Sequence, residues 1–232
     1  MDKQNASVCR PVTVWDGAAV RTDVRELVEE IRCPVWLNGR QAGMLSCSPW
    51  DVEEAALGYL YTSGLLERDA VVECAVLDEC VRVTAAPAEK REENPVPSLR
   101  LTAEQVAALA HELEQRSDLF RRTGGVHCAA VSRGEGLLVY REDVSRHVAV
   151  DKVAGACLLR GISTEGAALV FSGRVPGEIL AKAAAMGCSA IIARSAPTDH
   201  ACRMAEQLGI ALIAFAREGA FTVYTCPDRI CF

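Results

Sequence analysis

The chain has 232 residues, half of them apolar, with 25 basic and 31 acidic side chains and a formal net charge of −6. That length supports one large domain or two small ones with a proper core, and the composition excludes a disordered chain. The acidic balance argues against non-specific nucleic-acid binding, and the longest apolar run, residues 210–216, is far too short for a membrane span.

The amino-terminal residues are polar and lack the apolar segment of a secretory signal, so a soluble, cytoplasmic protein is expected. Eleven cysteines are scattered, odd in number and mostly set among apolar residues. That pattern predicts reduced, buried thiols. There is no C-x-x-C, and the spacings of Cys74/Cys80 and Cys226/Cys231 fit no zinc ribbon, so no metal site is expected.

In chain order, extended segments at 32–37 and 41–47 flank Asn38-Gly39, a hairpin signal because both residues tolerate positive φ. A helix is predicted from Ser48 as N-cap, through Pro49, to Gly64 as C-cap. Its apolar residues Val52, Ala55, Tyr59 and Leu60 recur at helical spacing, which makes Tyr59 and Tyr61 packing residues. Strands at 71–77 and 80–84 complete an α+β domain over residues 1–85. Prolines and clustered charges then mark residues 86–101 as a linker loop.

The second domain, 102–232, opens with the capping box Thr102-x-x-Gln105 and a helix carrying Val106, Leu109, Ala110 and Leu113. Strands at 126–131 and 137–140 pair around Arg133-Gly134. Helix 145–159, strand 167–171, helix 176–186, strand 190–193, helix 198–208 and strand 210–215 follow. Strands alternating with helices predict an α/β fold, a sheet covered on both faces and parallel in its later part.

In such sheets ligands bind beyond the carboxyl ends of strands, where helix N-termini offer unpaired N–H groups to anions. Three successive strand ends carry Ser172-Gly173-Arg174, Ser195-Ala196-Pro197-Thr198 and Arg217-Glu218-Gly219. Together they predict one pocket for an anionic, nucleotide-like ligand, with Arg174 and Arg217 as phosphate clamps. Thr123-Gly124-Gly125 offers a further loop for close approach to a phosphate. His127 and Cys128 follow on a strand and point to opposite faces; His127 is a buried, hydrogen-bonded histidine or a site residue, and Cys128 is the candidate reactive thiol. Asp143, His147 and Asp151 are spaced by four and line one face if a helix includes all three, with Arg146 and Lys152 placed to pair with phosphate.

The stretches 123–127 (TGGVH), 142–147 (EDVSRH) with Asp151-Lys152, Ser172-Gly173-Arg174 with Glu178 and Lys182, 195–198 (SAPT) and 221–224 (FTVY) occur in order, as does 57–65 (LGYLYTSGL) near the amino terminus. Together they resemble the formate dehydrogenase accessory (FdhD/NarQ) family over nearly the whole chain. The resemblance implies a three-layer, mixed-sheet, cytidine-deaminase-like C-terminal domain beside the smaller α+β domain. It implies sulfurtransferase chemistry, in which persulfide sulfur from a cysteine desulfurase passes to the molybdenum (or tungsten) bis-guanine-dinucleotide cofactor for formate dehydrogenase or a related molybdoenzyme. It also implies a homodimer. The family's binding segment near the last strand falls on Phe215, Ala216, Arg217, Glu218, Gly219 and Ala220. The cofactor-binding set is then those six with Thr123, Gly124, His127, Asp143, Arg146, His147, Ser172, Arg174 and Ser195, for the molybdopterin guanine dinucleotide or a GDP-like ligand.

One departure stands out. The family's working cysteines lie in a C-G-x-C-G loop between the two domains, and residues 85–99 contain no cysteine. Ser145 stands in place of the family's usual Gly, and Asp199-His200 where Ser/Thr-Leu is common. Three readings follow: a sulfurtransferase using another thiol, Cys128 first and Cys74 or Cys80 next; a homologue that binds the cofactor as a chaperone without carrying sulfur; and a zinc deaminase-like hydrolase. The last requires His-x-Glu and Pro-Cys-x-x-Cys, whereas the chain has His147-Val148-Ala149 and begins its next helix with Val175-Pro176-Gly177-Glu178. The chaperone reading is preferred.

Overall fold

The computed structural model describes residues 7–70, 72–77, 80–86 and 98–232. Most of the expected linker, including its prolines and the charge cluster at 89–93, lies outside the described residues.

The first described element is an antiparallel ribbon of β1 (Ser7–Trp15) and β2 (Val20–Val28), which the apolar periodicity of the sequence does not predict. A four-stranded sheet follows from β3 (Ile31–Leu37), β4 (Arg40–Cys47), β5 (Val72–Leu77) and β6 (Cys80–Ala85), in the order β4-β3-β6-β5. The Asn38-Gly39 turn has φ of 49° and 78°, the left-handed pair that a two-residue hairpin needs.

Helix α1 (Val52–Thr62) crosses this sheet but starts later than expected. Asp51 occupies the N-cap in a left-handed conformation. Ser48 does not cap: its amide donates to Asp143 at 2.9 Å, and its hydroxyl accepts from the Val144 amide at 3.0 Å. A serine that reads locally as a cap is used instead to bind a distant turn.

The larger half contains β7 (Leu101–Thr102), α2 (Ala103–Arg116), α3 (Asp118–Thr123), β8 (His127–Ser132), β9 (Val139–Asp143), α4 (Arg146–Leu159), β10 (Ala168–Phe171), α5 (Gly177–Ala185), β11 (Ala190–Ala193), α6 (Asp199–Leu208), β12 (Ala211–Arg217), β13 (Ala220–Val223) and β14 (Ile230–Cys231). The Thr102–Gln105 capping box is present with both reciprocal hydrogen bonds. Six strands form a mixed sheet in the order β13-β12-β11-β10-β8-β9, with β10, β11 and β12 parallel. Val106, Leu109 and Leu113 of α2 pack on one face with Ala130, Val170 and Ile192. On the other, α4, α5 and α6 pack through Val150, Ile179 and Ala201 against Val131, Leu169 and Ile191.

Helix α4 is buried along most of its length because α1 covers its outer side. The two helices touch backbone to backbone. A Cβ placed on Gly58 would lie 1.7 Å from the Asp151 carbonyl oxygen, and one on Gly155 would lie 1.9 Å from the Glu54 carbonyl oxygen. This packing fixes the small sheet relative to the large one.

Candidate functional site

Because β10, β11 and β12 run parallel, their carboxyl ends and the loops that follow share one sheet edge. β8 is antiparallel to β10, so its start, His127, lies at the same edge, and the register pairs His127 with Asp143 at the end of β9. The loops at 172–176 and 194–198 are tied together by backbone bonds: the Val175 amide donates to Ala196, and the Thr198 amide donates to Val175, both at 3.0 Å. The edge is therefore a preformed surface rather than a set of independent loops.

On the α4–α5 side, His127, Arg146, His147 and Ser172 come together. Ser172 Oγ accepts from the Cys128 amide at 2.9 Å and lies 3.4 Å from His127 Nδ1. Burial pulls both histidine pKa values below the usual range, and the nearby Arg146 guanidinium lowers them further. Arg146 Nε is buried without a hydrogen-bond partner. His147 Nε2 is 3.0 Å from a Glu178 carboxylate oxygen but is not aligned to hydrogen-bond with it. Pro176 at the N-cap of α5 supplies no side-chain cap, and while the Ile179 amide donates to the Pro176 carbonyl at 3.1 Å, the Gly177 and Glu178 N–H groups depend on solvent or a ligand. An anion placed here would meet cationic and N–H groups with unused capacity.

On the α2 side lies an apolar cleft of about 40 Å³, lined by Phe120, Val126, Cys128, Phe171, Ile192 and Ala216. Ser117 also lines it, and Arg194 and Glu114, 3.0 Å apart, form an ion pair there. His127 and Cys128 do point to opposite faces. Cys128 is buried beside the Tyr140 hydroxyl, which donates to Glu142 at 2.7 Å; Ser117 Oγ donates to the same carboxylate oxygen at 2.7 Å. Burial, with Cys128 and Glu142 alongside, pushes the Tyr140 pKa up. Arg194, Glu114, Ser117 and Phe120 were not among the expected site residues. Arg194 directly follows a predicted strand, which is the signal that marked Arg174; the others lie on helices with no motif.

Several expected site residues have local duties. Thr123 Oγ1 donates to Leu119 and accepts from the Gly125 amide, and Gly124, at φ 65°, terminates α3. Phe215 also has positive φ and is 38 % exposed, whereas Ala216 is buried. Glu218-Gly219 forms the left-handed turn that carries Arg217 and Ala220 into β13. Arg174, Ser195 and Arg217 reach solvent with no side-chain hydrogen bond or ion pair among the described residues.

The expected helix face of Asp143, His147 and Asp151 does not form. Asp143 ends β9, and α4 starts only at Arg146, capped by Ser145. Asp143 is fully buried. Its oxygens accept from the Ser48 and Ser145 amides, and Lys152 Nζ lies 2.8 Å from Oδ2. Lys152 is equally buried, over the Trp50 ring, so it pairs with Asp143 rather than with a phosphate. Asp151 faces Thr62 and Lys182 at 2.7 and 2.6 Å. Burial raises its pKa, against the effect of Lys182.

The alternative thiols differ in setting. Cys74 is half-buried, its pKa pushed up to about 12 by burial and the neighbouring Glu53 carboxylate; Cys80 is also half-buried. Cys9 and Cys231 are the exposed thiols. No group of three or more His, Cys, Asp or Glu among the described residues is arranged to hold a metal ion. No helix among them is long and apolar enough to cross a membrane.

Residues 78–231 match the family model described as the FdhD/NarQ family. The chain belongs to that family. It is 36 % identical over 235 residues to the sulfur carrier protein FdhD of Bacillus subtilis, covering 88 % of this chain and 90 % of that one. It is 34 % identical to the sulfur carrier protein FdhD of Shouchella clausii, with 92 % of each covered. The crystal structure of a formate dehydrogenase accessory protein from Desulfotalea psychrophila superposes with a TM-score of 0.87 at 27 % identity, over 97 % of this chain and 99 % of that one. Membership of the FdhD/NarQ family thus extends the motif resemblance to the fold: the mixed α/β architecture, ribbon and small sheet included, belongs to the likeness.

Proposed function

We propose that this FdhD/NarQ protein acts in the maturation of formate dehydrogenase or a related molybdoenzyme by binding the guanine dinucleotide portion of the molybdenum cofactor and delivering it. The observation that carries this reading is the single sheet edge that brings uncommitted cations, Arg174, Arg217 and Arg146, to the same rim as a small apolar cleft. Arginines and uncapped helix N–H groups suit a pyrophosphate, and Phe120, Phe171 and Ile192 suit a planar base. The Glu114 carboxylate supplies acceptors for the N1–H and N2–H donors of guanine, which adenine lacks. Lining α4 and α5 up at one edge also supports likening this domain to the cytidine-deaminase fold, with His147 near the start of α4.

In this reading the chain does not hold a persulfide between its two halves, since residues 85–99 offer no thiolate. Isothermal titration with GDP, with ADP as control, tests the binding; GDP heats with little or no ADP response are expected. No GDP heat, or equal affinity for the two, overturns it.

A second reading follows from Cys128 lining the cleft. Its thiolate would attack the outer sulfur of a donor cysteine persulfide, forming a new S–S bond as the donor thiolate leaves. Intact-mass analysis after incubation with a desulfurase and cysteine separates the two. No adduct is expected under the delivery reading, and a +32 Da adduct, the mass of one sulfur, mapped to Cys128 would favour the second.

A further inference from the structure

The hairpin of β3 and β4 holds two thiols that the site does not use. Cys33 stands opposite Leu45 in the register, so Cys33 and Cys47 are diagonal neighbours on one face of the strand pair. Alternation turns that face, with Val35 and Leu45, into the core beneath α1. Both thiols are buried there, 2 and 0 % exposed, among Ala55, Ala56, Leu57 and Leu60.

The two sulfurs are not equivalent. The Cys47 S–H donates to the Cys33 sulfur, and this hydrogen bond, with help from the Val81 amide, lowers the Cys33 pKa to about 7 against the effect of burial. The same bond, burial and the nearby Asp143 carboxylate push the Cys47 pKa up, and Lys152 opposes the rise. As a thiol, Cys33 donates weakly to the Pro34 carbonyl at 3.9 Å. As a thiolate it accepts the proton that Cys47 offers. One sulfur is thus placed as a nucleophile and the other as its resolving partner.

The end of the hairpin that carries them is lightly held. β6 pairs with β3 over Val35, Trp36 and Leu37, so among the described residues 31–34 have β4 as their one ladder partner. Pro34 has no N–H to contribute, and β4 is an edge strand. Opening of such a two-stranded end admits small solutes and excludes a reagent carried on another protein.

We propose that Cys33 and Cys47 are a hydroperoxide-reactive dithiol that closes to a disulfide across the β3–β4 hairpin. The Cys33 thiolate attacks one oxygen of hydrogen peroxide. The O–O bond breaks, Cys33 becomes a sulfenic acid, and the departing hydroxide takes a proton from solvent to leave as water. The Cys47 sulfur then attacks the Cys33 sulfur; the S–O bond breaks, and the hydroxide leaves with the Cys47 proton as a second water. The two thiols together lose two electrons and the peroxide gains them. Diagonal positions lie about 7–8 Å apart in a regular strand pair, slightly wider than a disulfide spans, so closure draws the two strand ends together, which the free edge of β4 permits.

The test is cysteine mapping of the reduced full chain after treatment with hydrogen peroxide, with remaining thiols alkylated in denaturant. Trypsin cuts after Arg40, between the two cysteines, so the disulfide joins two separate peptides. The Cys33–Cys47 link should form at least tenfold faster than oxidation of Cys157 or Cys188, buried thiols whose pKa values are pushed up to about 11 and about 12. Dithiothreitol should restore both thiols. In Cys47→Ala, dimedone should label Cys33 as a sulfenic acid, and in Cys33→Ala it should leave Cys47 unlabelled, with the melting temperature of each variant reporting its folding. The map of the wild-type chain decides even where a variant does not fold. Cys33 and Cys47 that remain free thiols once the exposed Cys9 and Cys231 are fully oxidised, or a disulfide from either one to another cysteine, overturns the proposal.

Discussion

Gly58 of α1 and Gly155 of α4 meet at a crossing so close that a Cβ on Gly58 would stand 2.8 Å from the Gly155 backbone nitrogen. Two elements from different halves of the chain are thereby held in direct backbone contact, a spacing that only glycine permits at both positions. Gly58→Ala forces the helices apart and disturbs the burial of Leu57, Leu60 and Val153. A loss of about 3 kcal/mol or more is expected from overpacking of this kind, read as a lower midpoint in denaturant unfolding. Gly155→Ala should behave the same way.

The buried pair Asp143–Lys152 anchors the turn into α4, where Arg146 and His147 stand. Lys152→Met fills similar volume but leaves the Asp143 carboxylate uncompensated. Breaking such a pair costs about 3–5 kcal/mol, so the variant should unfold at markedly lower denaturant. A variant as stable as the wild type would show that the pair is dispensable.

His127 and His147 link the site to pH. Their folded pKa values lie below the unfolded value of about 6.5, because burial and Arg146 disfavour the imidazolium. Between the folded and unfolded values the unfolded chain binds more protons, so stability rises with pH there. The contribution is complete above about pH 7 and is lost as pH falls below about 6.5. Melting temperature measured from pH 5 to 8 should fall more steeply on the acid side for the wild type than for His127→Gln/His147→Gln. A bound anion favours the imidazolium forms. GDP binding by the wild type should therefore take up protons, which titration in buffers of different ionisation enthalpy detects, and the double variant should take up fewer.

Arg174 and Arg217 have no competing partners among the described residues. Replacing either by Ala should weaken GDP binding by about 1.5–3 kcal/mol, the range for charge-assisted hydrogen bonds, with no change in melting temperature. Unchanged affinity in both would remove them from the site.

Elements with their own periodicity or capping chemistry were legible before folding. The Asn38-Gly39 hairpin, the Thr102–Gln105 box and the alternation from β8 to β12 need only local rules, and the parallel order of β10 to β12 places their following loops at one edge. The ribbon of β1 and β2 is not legible in the sequence, although Asp16-Gly17 is a turn signal, because charges interrupt the apolar pattern on both of its strands.

The sequence by itself determined the family, the strand–helix order and the edge at which Arg174, Ser195 and Arg217 emerge. Only the tertiary structure decided what the polar residues near that edge do. Ser48 has the chemistry of a cap, and Asp143 and Lys152 that of ligand-binding charges, yet they bind one another because folding buries them together, and a buried charge must be paired. Arg194 and Glu114 are far apart in the chain, on different elements, and become neighbours only when α2 lies across the sheet. Spacing along a chain governs contacts within a helix or strand; contacts between elements follow from how their apolar faces pack.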